Sequence, residues 1–144
     1  MYLFASQTFM DLLCGDPSVK MFADGVPRGG VYLSVVSLGV VEETIRETPP
    51  AEGRDQLDRY FRRVLSMART HSTVAPFGEG TASVWARLGS YDLAVADEDG
   101  ERAMSDIERM VVATALELKL VLVEQAQPYH SLLPELKVSD PYAP

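Results

Sequence analysis

The hydrophobic pattern divides the chain into short apolar runs and longer stretches of helical period. Tyr2-Leu3-Phe4 is a brief apolar run, consistent with a buried strand, and Thr8 to Cys14 reads as a short helix halted by Gly15-Asp16-Pro17. Residues 18–28 carry no clear period. After Gly29-Gly30, the run Val31-Tyr32-Leu33-Ser34-Val35-Val36 is rich in β-branched residues and apolar on both faces, as a central parallel strand requires. Ser37 is placed to cap a helix from Leu38 to about Glu47, which Pro49-Pro50 ends. Arg54 to Arg69 is a clear amphipathic helix, with Leu57, Tyr60, Phe61, Val64, Leu65 and Ala68 at three- and four-residue steps.

Further along, His71 to Pro76 reads as a short extended segment and Thr81 to Leu88 as a helix that holds the single tryptophan, Trp85. Residues 89–104 read as an acidic loop with, at most, part of a helix. Ser105 or Asp106 caps a helix through Leu116, because a serine followed three residues later by Glu108 is a capping-box spacing. Lys119 to Val123 is an apolar strand, and Leu136-Lys137-Val138 a last short one. Strands alternating with helices predict one α/β domain over residues 1–144, with a small, mostly parallel sheet.

Composition fits that reading and removes some functions. The chain has 144 residues, 47% hydrophobic and 24% charged, as expected of a globular fold. Thirteen Lys and Arg against twenty-one Asp and Glu give a net charge of −8, the wrong sign for a chain whose main task is to track a phosphate backbone. No apolar stretch approaches the roughly 20 residues a membrane span needs. Cys14 is the one cysteine, so neither a disulfide within the chain nor a multi-thiolate zinc site can form. Its neighbours Leu12 and Leu13 suggest a buried thiol, and the chain is expected in a reducing compartment, the cytoplasm.

The local motifs are weak. Gly78-Glu79-Gly80-Thr81-Ala82-Ser83 follows a strand and opens a helix, but Ser83 stands where a dinucleotide-binding loop needs its third glycine, so a simple turn is preferred. His71 and His130 lie on separate elements without metal-ligand spacing. Arg59, Arg62 and Arg63 could meet a phosphate. The simpler reading is a solvated helix face, partly neutralised by Asp55 and Asp58. The acidic residues of 97–101 lack the alternation and terminal glutamate of a calcium loop.

Four stretches taken in order say more. The strand and helix ending Met10-Asp11-Leu12-Leu13, the run Leu33-Ser34-Val35-Val36-Ser37-Leu38-Gly39, the run Met110-Val111-Val112-Ala113-Thr114-Ala115-Leu116 and the strand Leu120-Val121-Leu122-Val123 together resemble the PIN-domain family, in particular its VapC/FitB-type toxins of toxin–antitoxin pairs. Val74-Ala75-Pro76-Phe77 resembles the family's middle segment and Lys137 to Tyr142 its C-terminal ending, so the likeness covers nearly the whole chain. It implies an α/β/α sandwich, a homodimer and a small antitoxin-like protein partner. The activity it implies is that of a ribonuclease holding Mg²⁺ or Mn²⁺ with three or four acidic side chains at strand ends.

Carried over position by position, the acidic pattern is broken. The first aspartate falls on Ala5, the glutamate on Val40, the strand-end acid or amide on Ala126, and the helix-opening aspartate on Glu108. Alanine and valine bind no cation, so no metal is expected and Glu108 stands as a vestige. Three readings follow. The first is a catalytically silent, protein-binding module in a toxin–antitoxin or plasmid-stability setting. The second is a divergent Mg²⁺- or Mn²⁺-dependent ribonuclease whose site is rebuilt from Glu108 with Asp11, Glu43, Asp106 or Glu124. The third binds RNA without cleaving it, through Arg59, Arg62 and Arg63.

Overall fold

A computed structural model describes residues 1–144. Five parallel strands form the central sheet: β1 (Tyr2–Phe4), β2 (Val31–Ser34), β3 (Val74–Ala75), and, after an outlying hairpin of β4 (Ala94–Asp97) and β5 (Gly100–Ala103), β6 (Val121–Val123) and β7 (Val138–Ser139). Their spatial order is β3-β2-β1-β6-β7. Tyr2 pairs with Val31 on one side and Val121 on the other, so β1 is the middle strand. The chain first builds outward from β1 to β2 and β3, then returns to the other side of β1. All five strands end on the same edge, and the reversal of order falls between β1 and β6. In an open parallel sheet this is where a crevice forms.

Six helices cover the sheet: α1 (Ser6–Leu13), α2 (Pro17–Asp24), α3 (Val35–Glu47), α4 (Arg54–Thr70), α5 (Glu79–Leu88) and α6 (Asp106–Leu118). The period of two along β1 sends Leu3 and Phe4 to opposite faces, and Leu122 and Val123 divide likewise. Phe4, Leu33 and Val123 meet Phe9 of α1, Val41 of α3 and Phe61 of α4. Leu3, Ala75 and Leu122 meet Val111 and Ala115 of α6, Leu88 of α5 and the buried Tyr129. The result is the expected α/β/α sandwich.

Local details depart from the sequence reading at five places. The strand of the Val31 run stops at Ser34, whose Oγ accepts from the Val36 amide at 3.0 Å, so Ser34 and not Ser37 caps α3. Ser37 is buried inside the helix and shares a 2.9 Å hydrogen bond with Ser6. Residues 18–28, without a clear period, include most of α2. Asp16 does more than end α1: its carboxylate accepts from the Ser18 and Val19 amides, and Pro17 opens the new helix. The acidic stretch is the β4–β5 hairpin, closed by Gly100 at φ +121° and by the Asp97 carboxylate, which accepts from the Asp99 amide. Cys14 is exposed, since it closes α1 on its solvent side. The last strand is β7, starting at Val138 two residues later than expected, because the chain turns through Leu136 first.

Gly30 has a steric cause. A Cβ there would stand 2.6 Å from Val26 Cγ1 and 2.9 Å from the Pro27 carbonyl oxygen, so the turn into β2 closes only on a bare Cα. Phe9 and Phe61 are fully buried with ring centroids 6.0 Å apart. Phe61→Ala is expected to lower unfolding free energy by about 3–4 kcal/mol, measured by urea denaturation, through lost burial and the cavity left behind.

Candidate functional site

A cleft of about 440 Å³ lies outside the carboxyl ends of β1 and β6, bounded by α1, the start of α6, the β4–β5 hairpin and the segment after β6. Ala5, Asp11, Glu108 and Glu124 all line it. Val40 and Glu43 on α3 do not. Nor does Asp106, which pairs with Arg109 at 3.1 Å, nor the exposed Ala126, whose amide donates to Asp140 Oδ2 at 3.0 Å. The fold therefore gathers three carboxylates of the sequence reading into one cleft, with a methyl group at position 5, and leaves Glu43, Asp106, Val40 and Ala126 outside.

Glu108 sits at the third residue of α6 because Ser105 caps that helix. Ser105 Oγ accepts from the Glu108 amide at 3.1 Å, and Glu108 Oε1 accepts from the Ser105 amide at 2.9 Å. Arg102 then reaches from β5 and grips the same carboxylate with both terminal nitrogens, Nη1 to Oε1 at 2.7 Å and Nη2 to Oε2 at 3.0 Å. Partial burial alone would raise the Glu108 pKa, but Arg102 and the Ser105 contacts outweigh it and hold it below the usual carboxylate value. The Arg102 guanidinium is held correspondingly more firmly charged.

Glu124 follows β6. Its Oε1 accepts from the Tyr129 hydroxyl and lies 2.7 Å from His130 Nε2. The Gln127 amide donates to His130 Nδ1 at 3.1 Å, so the neutral ring carries its proton on Nε2 and directs it at Glu124. Burial first, then the nearby Glu124 charge, pushes the Tyr129 phenol well above the usual tyrosine value, which keeps it a donor. Asp11 on α1 accepts from the Tyr142 hydroxyl, 131 residues away in sequence, and from Gln7 Nε2 at 2.9 Å. The Tyr142 phenol is raised too, by burial and then by Asp11.

Each cleft carboxylate is thus satisfied by donors of its own chain. No three His, Cys, Asp or Glu side chains are gathered so that they could hold one ion. Mg²⁺ takes about six oxygens, and Mn²⁺ suits the same hard ligands. The donor set here does not fit such an ion. Arg102, Tyr129, His130 and Tyr142 were not singled out in the sequence as partners of these carboxylates.

Solved structures place this architecture. A chain in the complex of FitAB bound to an IR36 DNA fragment superposes with a TM-score of 0.78 at 18% identity, over 100% of this chain and 97% of that one. FitAcB from Neisseria gonorrhoeae gives 0.74 at 19% over 100% of both chains, and a toxin–antitoxin complex from Klebsiella pneumoniae 0.68 at 18%, again over 100% of both. The chain has the PIN-domain fold. No family model and no curated protein matches the sequence. Within that fold the cleft occupies the strand-end position the resemblance assigns to the acidic cluster.

The other sequence candidates are scattered. Arg62 is tied to Glu42 at 2.7 Å and Asp58 at 3.5 Å, whereas Arg63 lies over the Tyr60 ring. His71 is exposed and far in sequence from the cleft residues, which it does not join.

The depressed Glu108 pKa fixes the sign of a pH effect. Its contribution to stability is present above the unfolded value near 4.5 and is lost as pH falls through the lower folded value. Glu108→Gln should therefore cost about 0.5–1.5 kcal/mol at pH 7, a modest figure because the pair is half-exposed. The difference from the parent should shrink progressively as pH falls below about 4.5, as read from urea unfolding at a series of pH values.

Proposed function

We propose that this chain is a VapC/FitB-like PIN protein of a toxin–antitoxin system that has no nuclease activity and works by holding a protein partner. The carrying observation is the state of the cleft: Ala5 brings a methyl group where a ligand is needed, and Asp11, Glu108 and Glu124 are each hydrogen-bonded by the chain's own donors. The shared fold with chains of toxin–antitoxin complexes supports a small antitoxin-like protein as partner, and the family resemblance of the sequence adds a homodimer as the form that binds it. A cytoplasmic role in maintaining a plasmid or locus is consistent with that setting.

A donor set that does not fit a divalent cation leaves the cleft without a means to polarise a phosphate or to lower the pKa of an attacking water. What remains is a scaffold in which Arg102 neutralises Glu108 while Asp11 and Glu124 are held by uncharged donors. With a methyl group at Ala5 and Arg102 already on Glu108, a basic partner side chain finds fewer counter-charges there, so apolar packing carries most of the partner's hold.

One observation favours the nuclease alternative. Asp11, Glu108 and Glu124 do border a single cleft, and a swing of Arg102 and Tyr142 would free two of them. Titration calorimetry with MnCl₂ and incubation of structured and single-stranded RNA with Mg²⁺ and Mn²⁺ separate the two. The expected result is no heat of binding up to millimolar Mn²⁺ and no cleavage. Micromolar Mn²⁺ binding that is lost in Glu108→Ala, with RNA cleavage, would replace this reading with a working enzyme. Light scattering should give twice the 15.8 kDa chain mass; a monomer at tens of micromolar would remove the homodimer.

A further inference from the structure

The hairpin that walls the cleft carries an open strand edge. The central sheet ends in β3 and β7, each of two residues, whereas β5 has four. Register decides which hairpin groups point outward. The Met104 amide donates to the Leu93 carbonyl at 2.9 Å, so Leu93 and Met104 form a hydrogen-bonded pair, and by alternation so do Val95 and Arg102. Ala94 opposite Ala103 and Ala96 opposite Glu101 are then the non-bonded pairs, whose backbone groups face away from the partner strand. On the β4 side Gln127 covers this edge, its Oε1 accepting from the Ala96 amide at 2.8 Å. On the β5 side the Ala103 carbonyl accepts from Arg102 Nη1 at 3.2 Å, but the amides of Glu101 and Ala103 meet no loop carbonyl and no side chain. All four residues of β5 are exposed.

This edge is acidic. Asp97, Glu98, Asp99 and Glu101 are exposed, and none has a cation within ion-pair distance. Arg102, the one base of the hairpin, is committed to Glu108. An unpaired strand edge is a template for another strand, and charge is a common means of blunting it. Here the charge has one sign. It blunts the edge against a second copy, whose β5 brings the same carboxylates alongside, and favours an extended segment of opposite sign.

We propose that β5 takes up an extended, lysine- or arginine-bearing segment of a protein partner as a third, antiparallel strand of the hairpin. Main-chain hydrogen bonds to Glu101 and Ala103 set the register, and the carboxylates of the edge and turn select the sign of the side chains. The inference rests on the reading of the chain as a protein-binding module. It adds a polar contact beside the apolar packing in the cleft, because Val95, Ala96, Arg102 and Met104 of the same hairpin line that cleft.

The test is titration of the isotope-labelled full chain with a capped, alternating Lys-Val peptide, read by amide chemical shifts and by hydrogen exchange. The peptide should bind saturably, one per chain, more weakly as salt rises, and should slow exchange at the Glu101 and Ala103 amides. An alternating Glu-Val peptide should not bind. N-methylation of the peptide's lysines, the residues that lie opposite Glu101 and Ala103, keeps the charge, removes the donors and should abolish the protection. Ala103→Pro deletes an N–H that points away from β4, so the hairpin should persist, which exchange protection at Val95 and Arg102 checks. That variant should bind the peptide roughly three- to tenfold more weakly, the size of one hydrogen bond. Glu98→Gln/Glu101→Gln should weaken binding too and flatten its salt dependence. No saturable binding, equal binding of the acidic peptide, or N-methylated peptide bound as tightly as its parent would overturn the proposal, the last because it means charge attraction without a strand. Mn²⁺ binding with RNA cleavage would instead overturn the reading of a silent module and leave the peptide result unchanged, so the two failures are distinct.

Discussion

Negative charge at the carboxyl ends of parallel strands has to be balanced, because a partly buried carboxylate without a partner raises the free energy of the fold. In this protein the chain's own groups partner each carboxylate, with a cation on Glu108 and uncharged hydrogen-bond donors on Asp11 and Glu124. The hairpin supplies Arg102 to Glu108, the turn after β6 supplies Tyr129 and His130 to Glu124, and the C-terminal segment supplies Tyr142 to Asp11. Three segments outside the central strands and helices therefore close around one cleft, each fastened to it by a single anion. With Ala5 next to the middle strand, the strand ends carry one fewer charge to oppose.

The framework was legible in the sequence because it depends on burial, and burial leaves a period. Tyr2–Phe4, the Val31 run, the Arg54 helix and the Met110 helix are all apolar where the sheet or its facing layer requires it. What failed to show lacks that contrast. Only Val19 of α2 is fully buried, so eight helical residues leave no stripe, and the cap formed by Asp16 and Pro17 looked like a stop alone. Strand β5 is exposed along its whole length, so Gly100 to Ala103 gave no alternation to read beside the buried Leu93 and Val95. The choice between Ser34 and Ser37 as the cap depends on where the strand leaves the sheet, and the apolar run continues past that point.

The site was half legible. Glu108 could be placed because the Ser105 spacing fixes it in the first turn of α6, and Asp11 and Glu124 were among the acids considered for a rebuilt cluster. Their partners could not be placed. Arg102 faces Glu108 only because the hairpin folds back, and Tyr142 meets Asp11 only because β7 carries the tail across the sheet edge. A sequence shows which residues are acidic, but the residues that pair with them are set by topology.

The difference between a metal site and a neutralised one can be argued at Glu108. A carboxylate has two oxygens with about four lone-pair directions. Here one oxygen accepts from the Ser105 amide and Arg102 Nη1, and the other from Arg102 Nη2. The capping bond fixes the side chain over the helix N-terminus, and the guanidinium then occupies the side that faces the cleft. A hard ion entering there would have to displace a bidentate arginine and would find no oxygen at position 5 in return. The same contacts that stabilise the start of α6 therefore weaken the case for catalysis, and the structural and functional roles of this one residue pull in opposite directions.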